Sequence, residues 1–288
     1  MKVTVAKTAG FCFGVDRAVR MVEEELSRGT GPIFTFGPII HNETVVEDLR
    51  ARGASPVGRE ELEAMARDPA RRVPGSAIVI RSHGISAEEE ELVRRAGLRV
   101  ADATCPFVKK IHRIVEEAAQ NGRRPVICGD PEHPEVKAIL SRAGKNACVV
   151  TDPDEIAGIP HDMPLTAVAQ TTFYAKKYKE IVEKISALSY DTVVVDTICN
   201  ATQMRQSEAA ALAARTGTMI VIGGRHSSNT AKLYRICAEL CPRTYYIQTL
   251  EDLIAQKFEP AGSVGITAGA STPKEIIEEV QNFVTGNF

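Results

Sequence analysis

Short apolar runs rich in β-branched residues alternate along the chain with longer stretches of helical periodicity. The runs are "KVTVA", "PIFTFG", "AIVIRS", "LRVADAT", "PVICGD", "LTAVAQ", "DTVVVDT", "MIVIGG" and "SVGITAG". Runs this short, ending on glycine, aspartate, serine or threonine, read as strands. Between many of them lie amphipathic stretches such as "VDRAVRMVEEELSRG", "PFVKKIHRIVEEAAQNG" and "MRQSEAAALAARTG", each closing on a glycine that stops a helix. Strand, helix, strand at this spacing predicts βαβ units, hence an α/β fold with mainly parallel sheets and right-handed crossovers. The runs are almost continuously apolar, as expected of parallel strands covered on both faces.

Three of the runs end alike, in "KVTVAKTAGFC", "LRVADATC" and "DTVVVDTIC", and a helix follows each. From Cys12 to Cys105 is 93 positions and from Cys105 to Cys199 is 94. The chain therefore reads as three similar α/β modules, 1–96, 97–190 and 191–288, each opening with strand, cysteine and helix. Each then supplies two more strands that end in polar loops. These loops are "GPIIHNE" and "IRSHGIS", then "CGDPEHPE" and "AQTTF", then "GGRHSSNT" and "TAGAST". Ligands of open α/β sheets collect outside the carboxyl ends of the strands. Three modules packed about a pseudo-threefold axis would turn those ends toward one central cavity. No linker-like or low-complexity stretch separates the modules, so one compact body is expected.

Composition narrows the functional classes. Apolar residues make up 44% of the 288, enough for a sizeable core and too many for disorder. The net charge of −2 lacks the basic excess of a nucleic-acid binder but leaves room for a local anion pocket. No apolar run is long enough to cross a membrane, and "MKVTVAKTAG" is too short and polar for a signal peptide. A cytoplasmic protein is expected. Seven widely spaced cysteines fit a reducing compartment, where thiols serve as ligands, catalysts or core rather than disulfides.

Three cysteines repeated at one period, each at a strand-to-helix turn, suit an iron–sulfur cluster. A cubane cluster takes four cysteine ligands, and only Cys12, Cys105 and Cys199 are equivalent by repeat. The fourth iron would then be open to substrate. Structural zinc prefers paired close spacings such as C-x2-C, and none occurs. Cys128 and Cys148 lie on apolar runs and read as core. Cys237 and Cys241, one helical turn apart in "CAELCP", read as a packed helix face.

The remaining chemistry lies on the strand-end loops. In "GDPEHPEVK", Pro131 and Pro134 are expected to keep the segment out of a helix. Residues two apart in an extended segment point the same way, so His133 and Glu135 would face one side as a proton-delivery pair, with Glu132 opposite and solvated. His41 and His83 sit on equivalent loops. "SSNT" (Ser227, Ser228, Asn229, Thr230) and "GAST" (Gly269 to Thr272) are hydroxyl-rich. Imidazoles, hydroxyls, amides and helix N-termini together bind phosphate oxygens, so five such loops around one cavity would cage a diphosphate. Gly14, Gly84, Gly224 and Gly269 would permit close backbone approach. His112 reads as a surface or satisfied core residue and His161 as a turn residue, while His226 adjoins the hydroxyl-rich loop, where it could touch ligand but reads more simply as a bystander.

The set "GFCFGV", "GPIIHN", "RSHG", "DATCP", "HPE", "QTT", "DTIC", "SSN" and "TAGAST" resembles the 4-hydroxy-3-methylbut-2-enyl diphosphate reductase family. These are iron–sulfur oxidoreductases of the methylerythritol phosphate route of isoprenoid biosynthesis. The motifs keep family order from about residue 3 to residue 274. The resemblance implies three α/β modules around a 4Fe–4S cluster held by Cys12, Cys105 and Cys199, with one open iron whose loss would leave a 3Fe–4S form on isolation. It implies diphosphate binding by His41, His83 and His133, with Thr171, Thr172, Ser227, Ser228, Asn229 and Ser271. Glu135 would donate the proton, with Thr171 and His133 ordering the relay. The implied reaction is reductive dehydroxylation of an allylic diphosphate to isopentenyl and dimethylallyl diphosphate. Two electrons would come from a ferredoxin or flavodoxin, since the chain has no G-x-G-x-x-G nicotinamide motif. No nucleic-acid or membrane partner is implied.

Three rivals remain on sequence. An open-cluster dehydratase or condensing enzyme of the quinolinate synthase type also uses three α/β modules and three cysteines, but would need carboxylate-binding arginines at its centre. A non-catalytic iron–sulfur electron carrier would need a fourth cysteine ligand and would have no use for Glu135. A metal-free anion-binding protein would leave the cysteine repeat unexplained.

Overall fold

The computed structural model describes residues 1–288. Its strands are β1 (Val3–Val5), β2 (Ile33–Phe36), β3 (Ala54–Val57), β4 (Ala77–Ile80), β5 (Arg99–Asp102), β6 (Arg124–Cys128), β7 (Cys148–Val150), β8 (Leu165–Ala169), β9 (Thr192–Val194), β10 (Thr218–Ile222), β11 (Thr244–Ile247) and β12 (Val264–Ala268). Its helices are α1 (Phe13–Arg28), α2 (Glu43–Ala51), α3 (Arg59–Arg67), α4 (Ala87–Ala96), α5 (Pro106–Gln120), α6 (Pro134–Leu140), α7 (Ala175–Ala187), α8 (Asn200–Ala213), α9 (Ser228–Leu240), α10 (Leu250–Ala255) and α11 (Lys274–Asn287).

The strands form three four-stranded sheets, ordered β3-β2-β4-β5, β7-β6-β8-β9 and β11-β10-β12-β1, and every pairing is parallel. The three orders are the same order. In each, the strand that ends in a repeated cysteine is the last, and it pairs with the sheet of the repeat before it. β5 joins β4, β9 joins β8, and β1 closes the cycle on β12 with Val3 opposite Val264 and Val5 opposite Ile266.

The chain divides into two compact units: residues Met1–Asp16, Ile40–Asp48 and Asn200–Phe288, and residues Arg17–Ile39 and Leu49–Cys199. In the second unit, β6 and β8 alternate their side chains between two cores. Val126, Leu165, Ala167 and Ala169 pack with Ile181 and Ile185 of α7 on one face. Ile127 and Val168 pack with Ile111 and Val115 of α5 and Ile139 of α6 on the other. In the first unit β10 does the same. Ile220 and Ile222 face Val280 and Val284 of α11, and Met219 and Val221 face Leu212 of α8 and Leu233 of α9. A strand buried on both faces must be apolar at every position, which is why these central runs read so plainly.

Two expectations about strands are corrected. The three strands absent from the sequence reading, β3, β7 and β11, are all edge strands, so their apolar signal is halved. The cysteine-ended strands are also edges rather than fully buried, with Val100 45% exposed on β5 and Val193 48% exposed on β9.

Candidate active site

Each repeated cysteine stands where an edge strand hands over to a helix. Cys105 is the N-cap residue of α5, with Pro106 as the first helical residue. That position suits proline, whose missing N–H would find no helical partner there. Cys12 immediately precedes α1, and Cys199 immediately precedes α8. A thiolate at a helix N-terminus is favoured by the axial dipole and the free N–H groups.

One hydrogen bond recurs at all three. The Cys12 amide donates to the Ala270 carbonyl at 3.1 Å, Cys105 to Ser82 at 2.9 Å and Cys199 to Thr171 at 3.0 Å. Each acceptor lies on the loop after the central strand beside the cysteine's own strand. These are also the loops of the candidate substrate groups: Ser271 follows Ala270, His83 follows Ser82, and Thr171 is one itself.

The four other cysteines are built differently. Cys128 and Cys237 are fully buried, and Cys148 is packed against the same core as Cys128. Burial pushes the Cys128 and Cys148 thiols upward and that of Cys237 to about 12. Cys237 faces the Ala209 carbonyl, and Cys241 caps α9 with its sulfur toward the Thr216 and Arg243 carbonyls. Buried protonated thiols are poor metal ligands. Cys12, Cys105 and Cys199 are only partly buried.

In the second unit, Glu135 is 1% exposed and both of its oxygens are engaged by one residue. The Thr171 amide donates to Oε1 at 2.7 Å and the Thr171 hydroxyl to Oε2 at 2.7 Å. A carboxyl oxygen can accept such a bond whether or not the group is protonated. The expected extended segment is corrected here: Pro134 is the first residue of α6, and His133 is its N-cap. Proline restricts the residue before it but pre-organises the helix after it. The His133 ring still lies with Glu135, because its Nδ1 accepts from the Glu135 amide at 3.1 Å. With Nδ1 an acceptor, the neutral ring carries its proton on Nε2. His83 lies edge-on to His133, with ring centroids 5.3 Å apart. Thr172 Oγ1 accepts from the side chain of fully buried Gln170, whose Oε1 in turn accepts from the Asp130 amide. Glu132 is solvated and paired with Lys137.

In the first unit, the Ser271 hydroxyl donates to the His41 carbonyl at 3.1 Å, and buried Asn42 donates to the Ser271 carbonyl at 2.9 Å. Asn42 Oδ1 also accepts from the Val45 amide at the start of α2. Gly224 lies against the His41 carbonyl, where a Cβ would come to 2.4 Å of the oxygen. The hydroxyl-rich loop opens α9: Ser227 caps it through the Thr230 amide, and Ser228 accepts from Lys232. Asn229 is 5% exposed, and its Nδ2 is buried with no hydrogen-bond partner. A donor left unpaired at such depth has a cost unless a ligand completes it.

Asn42 escaped the sequence reading although an asparagine just before a helix is a capping signal. The bland histidines divide. His226 is exposed beside Glu43, and His161 stacks on Tyr190 with centroids 3.7 Å apart. His112 is neither on the surface nor satisfied: it is 8% exposed and its Nε2 has no partner. Burial, then the nearby Arg142 charge, lowers its pKa to about 4.

No helix is long and apolar enough to cross a membrane. The 4-hydroxy-3-methylbut-2-enyl diphosphate reductase of Caldanaerobacter subterraneus subsp. tengcongensis is 41% identical over 97% of this chain and 95% of its own length. A solved structure titled as (E)-4-hydroxy-3-methyl-but-2-enyl diphosphate reductase, the terminal enzyme of the non-mevalonate pathway, covers 99% of this chain and 100% of its own, at 40% identity and TM-score 0.70. A Plasmodium falciparum structure of the E-1-hydroxy-2-methyl-but-2-enyl-4-diphosphate reductase covers 99% of this chain and 88% of its own, at 27% identity and TM-score 0.88. The model of a family described as LytB protein matches residues 3–285, and with these relatives agreeing over nearly its whole length, the chain belongs to the LytB family.

Proposed function

We propose that the chain is a 4-hydroxy-3-methylbut-2-enyl diphosphate reductase, removing the substrate's hydroxyl to give isopentenyl and dimethylallyl diphosphate. The observation that supports it best is the shared hydrogen bond: each repeated cysteine amide is held by a loop that carries a candidate substrate group. The candidate ligand residues and the candidate substrate residues thus share a backbone hydrogen bond in each case.

Cys12, Cys105 and Cys199 would hold a 4Fe–4S cluster with one iron free of protein. Three soft thiolate donors at helix N-termini fit that group better than the four core thiols do. When bound, it would supply single-electron transfer and Lewis acidity. The chain's own residues do the rest. His41, His83, His133, Ser227, Ser228, Asn229, Ser271 and Thr172 would bind the diphosphate, the Nε2–H of His133 and the unpaired Nδ2 of Asn229 as donors. Glu135 would take up and deliver the proton that lets the hydroxyl leave as water. Thr171 fixes the rotamer of Glu135 through both oxygens while its carbonyl holds Cys199. This gives the acid and the third thiolate a common support. An electron carrier would have no use for that acid.

Electrons would come from a ferredoxin or flavodoxin in the cytoplasm, a reducing compartment that keeps the thiols available. The test is anaerobic. The protein is reconstituted with iron and sulfide, given reduced viologen, and challenged with 4-hydroxy-3-methylbut-2-enyl diphosphate. Substrate-dependent viologen oxidation is expected. An iron-loaded protein that oxidises none rejects the reading.

A further inference from the structure

His83 sits at the tip of a tight turn in the second unit. The Gly84 amide donates to the Arg81 carbonyl at 3.0 Å, and Gly84 has φ +73°, the left-handed region that favours glycine. The turn is held from two sides. On one, Arg81 folds back over it: Nε donates to the Gly84 carbonyl at 3.2 Å, and the guanidinium lies over the Phe36 ring, 5.8 Å from its centroid. On the other, a Cβ at Gly84 would stand 3.1 Å from His112 Cε1 and 3.2 Å from Thr104 Cγ2. Between them the Ser82 carbonyl holds the Cys105 amide. Burial lowers the Arg81 pKa, with Glu89 opposing, and a guanidinium so placed stays charged at neutral pH. Holding a half-buried guanidinium against a backbone carbonyl and an aromatic ring has a desolvation cost that a shorter apolar residue would avoid.

We propose that Arg81 is a positioning residue for His83, its guanidinium clamping the turn so that the imidazole is aimed at the substrate's diphosphate. Arg81 acts through its neighbour, and the inference rests on the diphosphate-binding reading of His83. A guanidinium suits the task because its plane can stack on Phe36 while Nε remains a donor; an ammonium cannot do both.

A double-mutant cycle with His83→Ala separates this role from general stabilisation. Inorganic pyrophosphate binding to the iron-loaded protein is measured by calorimetry for the parent, Arg81→Met, His83→Ala and the double variant. Arg81→Met is expected to weaken pyrophosphate binding roughly tenfold, yet less than about twofold in the His83→Ala background. Iron content should match the parent in all four. Arg81→Lys should weaken binding by an intermediate factor, and it carries the cycle if the methionine variant does not fold. Equal weakening by Arg81→Met in both backgrounds overturns the proposal, as does none in either while His83→Ala alone weakens binding. If His83→Ala leaves pyrophosphate affinity unchanged, the diphosphate role of His83 falls first and this inference falls with it.

Discussion

Glu135→Gln separates proton delivery from structure, because the surroundings of Glu135 accept an amide almost as well as a carboxylate. Thr171 presents two donors to the carboxylate, each at 2.7 Å. An amide oxygen accepts from the Thr171 N–H in the same place. The amide NH2 meets the hydroxyl, which rotates to accept instead of donate. Both hydrogen bonds survive, and only their charge assistance is lost, about 1 kcal/mol each. The variant also no longer buries a carboxylate in a site 1% exposed, a saving of similar size. Net stability should therefore stay within about 1 kcal/mol of the parent. Catalysis should not be spared. A positioned general acid contributes about 10²–10⁴-fold, or roughly 3–5 kcal/mol of barrier. The assay is anaerobic viologen oxidation at saturating substrate, with iron per chain and melting temperature measured on the same preparation. The expected result is normal iron, a near-normal melt and turnover down by about a hundredfold or more. Turnover within about tenfold of the parent, with the cluster intact, removes Glu135 as the proton source.

The remaining predictions probe the supports of the site. Cys105→Ser should lose the iron and the visible absorption of the cluster, while Cys237→Ala should keep both and only melt earlier; equal bleaching in the two would mean the ligand set is misread. Gly84→Ala should cost about 1–2 kcal/mol in a denaturant titration, from the left-handed φ of +73° alone. A shift under about 0.3 kcal/mol would mean that the turn relaxes freely. His112 has a folded pKa of about 4, below its unfolded value near 6.5. Its neutral form is thus the one the fold prefers: its contribution is full above pH 6.5 and fades as the pH falls toward 4. Between pH 7.5 and 5 this amounts to about 2 kcal/mol, which His112→Leu should abolish. An unchanged pH dependence in that variant would show that other groups carry it.

The central strands and the candidate chemistry were legible because both are written locally. β4, β6, β8, β10 and β12 are covered on two faces, so almost every position is apolar and the run stands out. Cys12, Cys105 and Cys199 carry their signal in their spacing. β3, β7 and β11 were not legible. Each has a single neighbour; "ASPV" contains a proline that only an edge tolerates, and "CVV" is three residues long. The start of α6 is hidden because Pro134 signals a break to the residues before it and a start to the helix after it. The supports of the site were beyond reach for another reason. Asn42 and Ser271 are 229 positions apart and meet through a backbone carbonyl, a pairing that leaves no residue-type signature at either end.

The cyclic sheet order explains why the repeat and the sheets disagree about where a module begins. Read as sequence, each period starts at a strand that ends in cysteine. Read as hydrogen bonds, that strand completes the preceding sheet, as its outermost member. Placing the repeated cysteine there has two consequences. An edge strand is paired on one side only, so its terminal residue can turn away from the sheet into a helix without breaking a second ladder. It also brings the cysteine amide beside the loop of the adjacent central strand, where Ser82, Thr171 and Ala270 accept it. Those loops belong to the previous period, and they carry His83, Thr171 and Ser271. A repeated cysteine and the loop of a candidate substrate group from a different repeat are therefore joined by one hydrogen bond, three times over. For Cys12 the partner loop comes from the other end of the chain, after β12. Its position is settled only when Val3–Val5 docks on Val264–Ala268, so the first cysteine made is placed by the last sheet strand made.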